Sequence, residues 1–368
     1  MGGFRAFLQR KDVVVSLRRY GIDAMSAMAQ GLFCTLLIGT ILNTLGSQFG
    51  IGFLSRAIVE VGGKGLTIGG IASAMAGPAM AVAIGYALKA PAMVLFSLVP
   101  VGYATNLLGG AGGPFAVYVV ALLASEAGKL VSKETKVDIL VTPLVTLLCG
   151  IGIAWLVAAP IGAAASWLGK LIMWATDLQP FLMGILVAVI VGMALTLPIS
   201  SAAICAGLGL TGLAGGAALA GCCAQMVGFA SMSFRENRWG GLISQGIGTS
   251  MLQMGNIIRN PRIWIAPIVT SMITGPVATC VFHLQMNGAA VNSGMGTCGL
   301  CGPIGVWTGW VEPSAAALAN GAVAMTPSAM DWLGLACVSI LLPAIICPLV
   351  GALLRRIGWI HEGDLAIN

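Results

Sequence analysis

Long apolar runs alternate with short polar breaks along the first half of the chain. The runs fall at residues 24–45, 66–88, 91–108, 115–130, 139–159 and 181–197. Their lengths bracket the 20 or so residues that an α-helix needs to cross the hydrocarbon core of a bilayer. Six membrane spans are therefore predicted there.

The second half is less regular. Residues 199–234 are apolar but broken by Gly and Ser, and close on Ser233-Phe-Arg-Glu-Asn-Arg238. The pattern fits two short spans or a re-entrant hairpin. Residues 240–256 are too polar and Gly-rich for a span, and Arg259 and Arg262 follow at once. This reads as a re-entrant segment that enters and leaves on one side. Residues 263–284 form a span, 287–330 a second polar, Gly-rich re-entrant stretch, and 332–354 the last span, stopped by Arg355 and Arg356. The fold class expected is an all-α polytopic membrane protein with eight to ten spans and re-entrant hairpins in its second half. The expected organisation is a cytoplasmic amphipathic helix at 1–22, a dimerisation-type half at 23–178 and a substrate-binding half at 179–368. Interrupted helices free backbone N–H and C=O groups to meet a substrate, so the site is expected in the second half.

Composition supports lipid as the outer solvent. Of 368 residues, 58% are hydrophobic and 8% charged, against about 25% charged in a soluble domain. Mean hydropathy is +0.97. The 52 glycines suit helices that gain little from burial in lipid and instead approach closely. The net charge of +6 sits between the apolar runs, which reads as topology rather than nucleic-acid binding. Residues 4–20 interleave Arg5, Arg10, Lys11, Arg18 and Arg19 with Phe4, Phe7, Leu8, Val13, Val14 and Leu17, which fits an amphipathic helix on the inner surface and equally a simple topogenic basic tail. From its polar, basic start no cleavable signal peptide is expected. Four spans separate that basic start from the basic stretch Lys129–Lys136, so both termini are expected in the cytoplasm of a bacterial inner membrane. Membrane lipid is the one partner that composition alone implies.

Polar side chains concentrate in three places. Gly246-Ile-Gly-Thr-Ser-Met-Leu-Gln-Met-Gly-Asn256 offers Thr249, Ser250, Gln253 and Asn256. Met286-Asn-Gly-Ala-Ala-Val-Asn-Ser-Gly-Met-Gly-Thr297 offers Asn287, Asn292 and Thr297, and the Pro-broken Leu197-Pro-Ile-Ser-Ser201 offers Ser200 and Ser201. Hydroxyls and amides both donate and accept, so they suit a small polar, sugar-like solute. They equally serve to satisfy broken backbone, and Ser200 to cap a restarting helix. Most of the ten cysteines lie in apolar runs, where a thiol is a small hydrophobe. The Cys298/Cys301 pair lacks two further ligands at zinc spacing. No cofactor or metal is expected. Glu236 is expected to pair with Arg235 or Arg238, and no carboxylate falls clearly in mid-span as proton coupling requires. No phosphate-binding loop and no nucleophile–base spacing appear, so the chain is not read as an enzyme.

Several motifs resemble the enzyme IIC membrane subunits of the phosphotransferase system, fructose and glucose superfamily. They run from Gly113-Pro-Phe115 through Ile139-Leu-Val-Thr-Pro-Leu-Val-Thr-Leu-Leu148, Ala159-Pro-Ile-Gly162, Ser166-Trp-Leu-Gly-Lys-Leu-Ile172 and Leu197-Pro-Ile-Ser-Ser-Ala-Ala203 to Gly246-Ile-Gly-Thr-Ser250 and Asn260-Pro-Arg-Ile-Trp-Ile-Ala-Pro267. Cys222-Cys-Ala-Gln-Met-Val-Gly-Phe-Ala230, Ser233-Phe-Arg-Glu-Asn237 and Ser293-Gly-Met-Gly-Thr297 resemble the branch that includes perfringolysin O regulator-like proteins. The resemblance implies a homodimer, a mobile substrate-holding second half, and elevator-like movement of a solute. It implies separate IIA and IIB proteins for phosphoryl transfer, or a cytoplasmic regulator as partner. Sugar-transporting relatives carry Gly-Ile-Thr-Glu in the re-entrant segment. Here the matching stretch is Gly248-Thr-Ser-Met-Leu-Gln253, and the amide of Gln253 loses the charge-assisted bond to a hydroxyl. That departure argues against phosphorylation-coupled hexose transport and favours the alternative, a membrane sensor on the same fold.

Overall fold

The computed structural model describes residues 2–367, and the side chains of Phe4, Arg5 and Lys64 lie outside the described set. It is helical almost throughout. Its β-structure among the described residues is one small antiparallel hairpin, Val59–Val61 with Lys64–Leu66, and an isolated bridge. Gly62 and Gly63 take φ of +59° and +78° in the hairpin turn, a two-residue turn that non-glycine residues enter only at a cost.

Six helices among the described residues are long and apolar enough to cross a membrane, and a bent pair, Ile68–Ala74 with Ala76–Ala87, makes a seventh. One of the six, Ala92–Val131, is two spans. Gly110 turns the chain at φ +52° between Ala92–Gly109 and Gly113–Val131. A Cβ on Gly128, near the end of the second arm, would lie 2.8 Å from Val94, near the start of the first. The arms therefore run antiparallel. With the 17-residue apolar helix Pro180–Thr196, nine helices among the described residues suit spanning, inside the expected range.

The chain divides into two compact units, residues 1–39 with 70–164 and residues 40–69 with 165–368. In the first unit, helices meet through glycine. A Cβ on Gly77 or on Gly102 would strike the other's carbonyl, and one on Gly31 would strike the Ala79 carbonyl. The expected continuous amphipathic helix at 4–20 is two pieces. Helix Gly2–Arg10 stops where Asp12 takes φ +53°, and helical turns resume at Arg18. Arg19 grips Asp12 through both guanidinium nitrogens, at 3.0 and 2.5 Å. That hydrogen-bonded grip holds the Asp12 carboxyl below its usual range. Lys129, only 2% exposed, donates to the Asp12 carbonyl (2.7 Å) and the Leu88 carbonyl (3.1 Å) and forms an ion pair with Glu126 Oε2 at 3.0 Å.

The second unit is built around Gly212–Met232, most of whose residues are buried. Pro180–Thr196 and Ile265–Pro276 pack on it through small residues. A Cβ on Gly192 would lie 2.7 Å from the Gly221 carbonyl, and one on Gly184 would lie 3.0 Å from that of Gly275. Residues 199–234 resolve into the short helix Ser201–Leu208 and the long Gly212–Met232, with Gly209 (φ +60°) and Gly212 (φ +63°) making the turn between them. Residues 234–264 are a succession of short helical pieces, kinked at Arg238 (φ +51°). Among the described residues, the 287–330 stretch contains the helix Cys301–Val311, a short helix Ala315–Ala319 and two 3₁₀ turns, Ala290–Gly294 and Cys298–Leu300. The last helix starts on a Ser328/Asp331 capping box, two hydrogen bonds exchanged across the first turn. Glu236 pairs with Arg355 at 2.6 Å, not with Arg235 or Arg238 as expected. Packing of the last helix brings a distant arginine nearer than its sequence neighbours.

Candidate functional site

Gln225 lies in the middle of Gly212–Met232 and is fully buried. An amide inside an apolar helix bundle is costly unless hydrogen-bonded. Three elements supply its partners. Its Oε1 accepts from Trp264 Nε1 at 2.8 Å and Thr196 Oγ1 at 3.2 Å, and its Nε2 reaches Ser271 Oγ at 3.5 Å. Thr196 Oγ1 also lies 2.8 Å from Ser250 Oγ. A hydroxyl has one proton, so if Thr196 donates to Gln225 it accepts from Ser250. The result is a directed chain, Ser250 to Thr196 to Gln225, in which Thr196, Ser250, Gln225 and Ser271 are all fully buried.

Ser250 opens the 3₁₀ turn Ser250–Gln253, whose other end starts a second network. Thr249 is extended (φ −158°) and caps this turn by accepting from the Met251 amide at 3.2 Å. Gln253 Nε2 donates to Gln245 Oε1 and to the Leu365 carbonyl, both at 2.9 Å. Its Oε1 accepts from Asn256 Nδ2 at 2.8 Å, and Asn256 Nδ2 also donates to the Ala366 carbonyl at 2.9 Å. Asn237 clamps the same C-terminal segment, donating to the Leu365 carbonyl at 2.7 Å and accepting from the Ile367 amide at 2.8 Å. Asn260 donates to the Trp359 carbonyl and to Asp364 Oδ2, and Arg262 stacks on the Trp359 ring with 5.5 Å to its centroid. The segment 359–367 is thus held along its backbone by side-chain amides of residues 237–260. Leu365 and Ile360 are buried.

Two buried layers of neutral donors and acceptors, one of them filled by the backbone of the turn-rich segment 359–367, are laid out in helices otherwise suited to lipid. Residues 22–367 match the family model "Phosphotransferase system, EIIC". The chain belongs to the phosphotransferase-system EIIC family. Neither a curated protein nor a solved structure matches it. EIIC is the membrane transporter component of that system, and this chain is accordingly an integral, all-α membrane protein.

Within this EIIC chain the residues singled out from sequence fall into two groups. Thr249, Ser250, Gln253 and Asn256 come together in the networks above. Ser200, Ser201, Asn287, Asn292 and Thr297 do not join them. Ser200 caps helix Ser201–Leu208 by accepting from Ala203, and Ser201 Oγ donates to the Gly294 carbonyl at 2.7 Å. Asn287 is buried with a long 3.4 Å bond to Gln285, and its carbonyl takes the Ser314 amide. Asn292 is half-buried against Gly305, and Thr297 points at Met226 Sδ, 3.7 Å away. Ser200 serves its own helix, and the other four tie the 287–297 stretch to its neighbours. Cys301 Sγ sits 3.1 Å from Thr44 Oγ1, a contact that the CxxC spacing does not suggest.

Sequence reasoning missed Thr196, Gln225, Trp264 and Ser271. For Gln225 a signal existed, since a lone amide in a 21-residue apolar helix is expensive and marks function or packing. For Asn237, Gln245 and the 359–367 backbone there was little to read, because main-chain carbonyls carry no residue signature.

Proposed function

We propose that this EIIC chain is a permease that binds a small polar, sugar-like solute in its second unit, at the chain Ser250–Thr196–Gln225 and the adjoining Gln253 and Asn256, and moves it across the bacterial cytoplasmic membrane. The observation that carries this reading is the connected set of buried neutral donors and acceptors drawn from four separate elements. Such groups exchange hydrogen bonds with sugar hydroxyls at little net cost, and apolar surroundings make those bonds discriminating. In the structure Gln253 and Asn256 spend their amides on residues 365 and 366, so entry from that side requires 359–367 to leave. Residues 234–264 then act as a re-entrant segment. Arg235 and Arg238 flank its entry and Arg259 and Arg262 its exit, and basic residues mark the cytoplasmic face. Both termini lie on that face, and the working unit is a homodimer. Any coupled phosphoryl transfer is the work of separate IIA and IIB proteins.

Counterflow of labelled solute into proteoliposomes tests this without the soluble partners. With sugars, sugar acids and nucleosides as substrates, at least one is expected to exchange saturably. Thr196→Val with Gln225→Leu removes two bonding groups at near-constant volume and is expected to cut exchange at limiting solute by about tenfold or more. Exchange unchanged in that variant, or absent for every solute, would overturn the reading.

A second reading has its own observation. The glutamate of the Gly-Ile-Thr-Glu motif of sugar-transporting relatives is missing here, Gln253 is its nearest polar substitute, and the Gln253 amide holds the chain's own backbone. A sensor of the perfringolysin O regulator-like kind, in which a solute releases 359–367 without crossing, fits that bond. Solute-dependent release with no counterflow would select it.

A further inference from the structure

The first unit holds a cavity of about 530 Å³ that the solute site does not use. Its walls come from three stretches, residues 10–12, 89–91 and 129–134. Five cations line it, Arg10, Lys11, Lys89, Lys129 and Lys133, against two acids, Asp12 and Glu134. The acids are already taken. Glu134 receives Lys11 at 2.5 Å and Arg10 at 3.1 Å, and Asp12 receives Arg19. Lys129 is spent on Glu126 and two carbonyls. Among the described residues, Lys89 and Lys133 make no ion pair and no side-chain hydrogen bond.

Backbone conformation singles out the same two lysines. Six non-glycine residues among those described take positive φ, and three of them line this cavity: Asp12 (+53°), Lys89 (+57°) and Lys133 (+61°). Lys89 and Lys133 sit just past the ends of helices Ala76–Ala87 and Gly113–Val131. Glycine is the residue that takes such positions freely. Backbone bonds fix each one, Lys89 N to the Tyr86 carbonyl (2.9 Å) and Lys133 N to Asp138 Oδ1 (2.7 Å). Two strained positions thus place lysines without an ion-pair partner on the wall of one concave, positively charged space. Strain that persists at a surface site points to a use for the residue.

We propose that this cavity binds a phosphate-class anion, held by Lys89 and Lys133 with Lys129 and Arg10 adding charge. Lysine meets phosphate oxygens as a point charge from any direction, whereas planar carboxylate recognition favours arginine's fork. Two sources share that chemistry, the headgroup of an anionic phospholipid and a soluble phosphate ester. A basic cluster at the end of spans in a membrane protein favours the lipid. The site is independent of solute binding in the second unit.

The test uses the full chain. Retained lipid is counted by native mass spectrometry after exchange into mixed phosphatidylglycerol and phosphatidylcholine vesicles, and thermal stability is measured with each lipid and with inorganic phosphate. Lys89→Gly with Lys133→Gly is the informative variant. Glycine relieves positive φ, so this variant is expected to unfold no earlier than the parent in phosphatidylcholine, yet to lose the anion-dependent rise in Tm and roughly tenfold or more in anion retention. Arg56→Gln with Lys170→Gln removes equal charge from the second unit and is expected to leave retention unchanged. A phosphatidylglycerol effect assigns the lipid source, and an effect of inorganic phosphate in detergent assigns the soluble one. Equal loss in both double variants would reduce the observation to overall charge and overturn the site. So would the absence of any response to either anion.

Discussion

Gly221→Val is expected to give no monodisperse protein. A side chain at Gly221 falls on the backbone of Ala188, and a Cβ on Gly192 would already lie 2.7 Å from the Gly221 carbonyl. Neither backbone can move without opening the stripe of Gly184, Ala188 and Gly192 along Pro180–Thr196. In lipid, helices associate through close packing rather than through exclusion of water, so that stripe is the adhesive itself. Gln225 lies one turn further on, and separating the helices also pulls it from Thr196. The combined penalty exceeds about 4 kcal/mol, the range reserved for overpacked or broken cores. Fluorescence-detected gel filtration of the expressed protein measures it. Gly152→Val, at a position with open space around its Cα, is the control and is expected to fold.

Gln253→Glu is the second change with a large expected effect, and it acts on the dock for 359–367. Gln253 Nε2 donates twice, to Gln245 Oε1 and to the Leu365 carbonyl. A carboxyl group in its place offers at most one proton, so at least one acceptor faces an oxygen. An unmet buried polar group costs about 1–3 kcal/mol, more when it is charged. The backbone segment is the partner free to leave. Amide exchange over residues 360–367 is expected to rise about a hundredfold, while Gly212–Met232 stays protected. The substitution also introduces a carboxylate, which makes charge-assisted bonds to hydroxyls, so solute affinity is expected to rise as the dock opens. Unchanged exchange at 360–367 would show that the Leu365 bond holds nothing in place.

The fold was legible because lipid imposes a length. Six apolar runs in the first half became helices within a few residues of their expected ends, with one exception. The run expected to end at residue 159 continues to Thr176 through Pro143 and Pro160. Proline removes one backbone hydrogen bond from a helix, and at Pro160 the alanines on either side absorb the loss without ending it. Part of the site was legible for the same reason. Thr249 to Asn256 are polar where a span should be apolar, and the structure gathers them. The partners that give the cluster its shape were not legible. Gln225 and Thr196 sit singly inside apolar runs and escape a search for polar density. Leu365 contributes a carbonyl from 112 residues away, and no pattern of side chains encodes that. Glu236 shows the limit in miniature, since neighbours in sequence were the natural guess and a packed helix supplied Arg355 instead.

The central claim is that the polar networks of the second unit receive a small polar solute. It is tested most directly by the thermal stability of the full-length protein against a panel of sugars, sugar acids and nucleosides, in the parent and in Gln253→Glu. A ligand at a hundred times its Kd stabilises the native state by about 2.7 kcal/mol. The account predicts that at least one solute raises Tm, that the rise is larger in Gln253→Glu, and that Thr196→Val with Gln225→Leu abolishes it. No rise with any solute in either background, or a rise that survives Thr196→Val with Gln225→Leu, would contradict it.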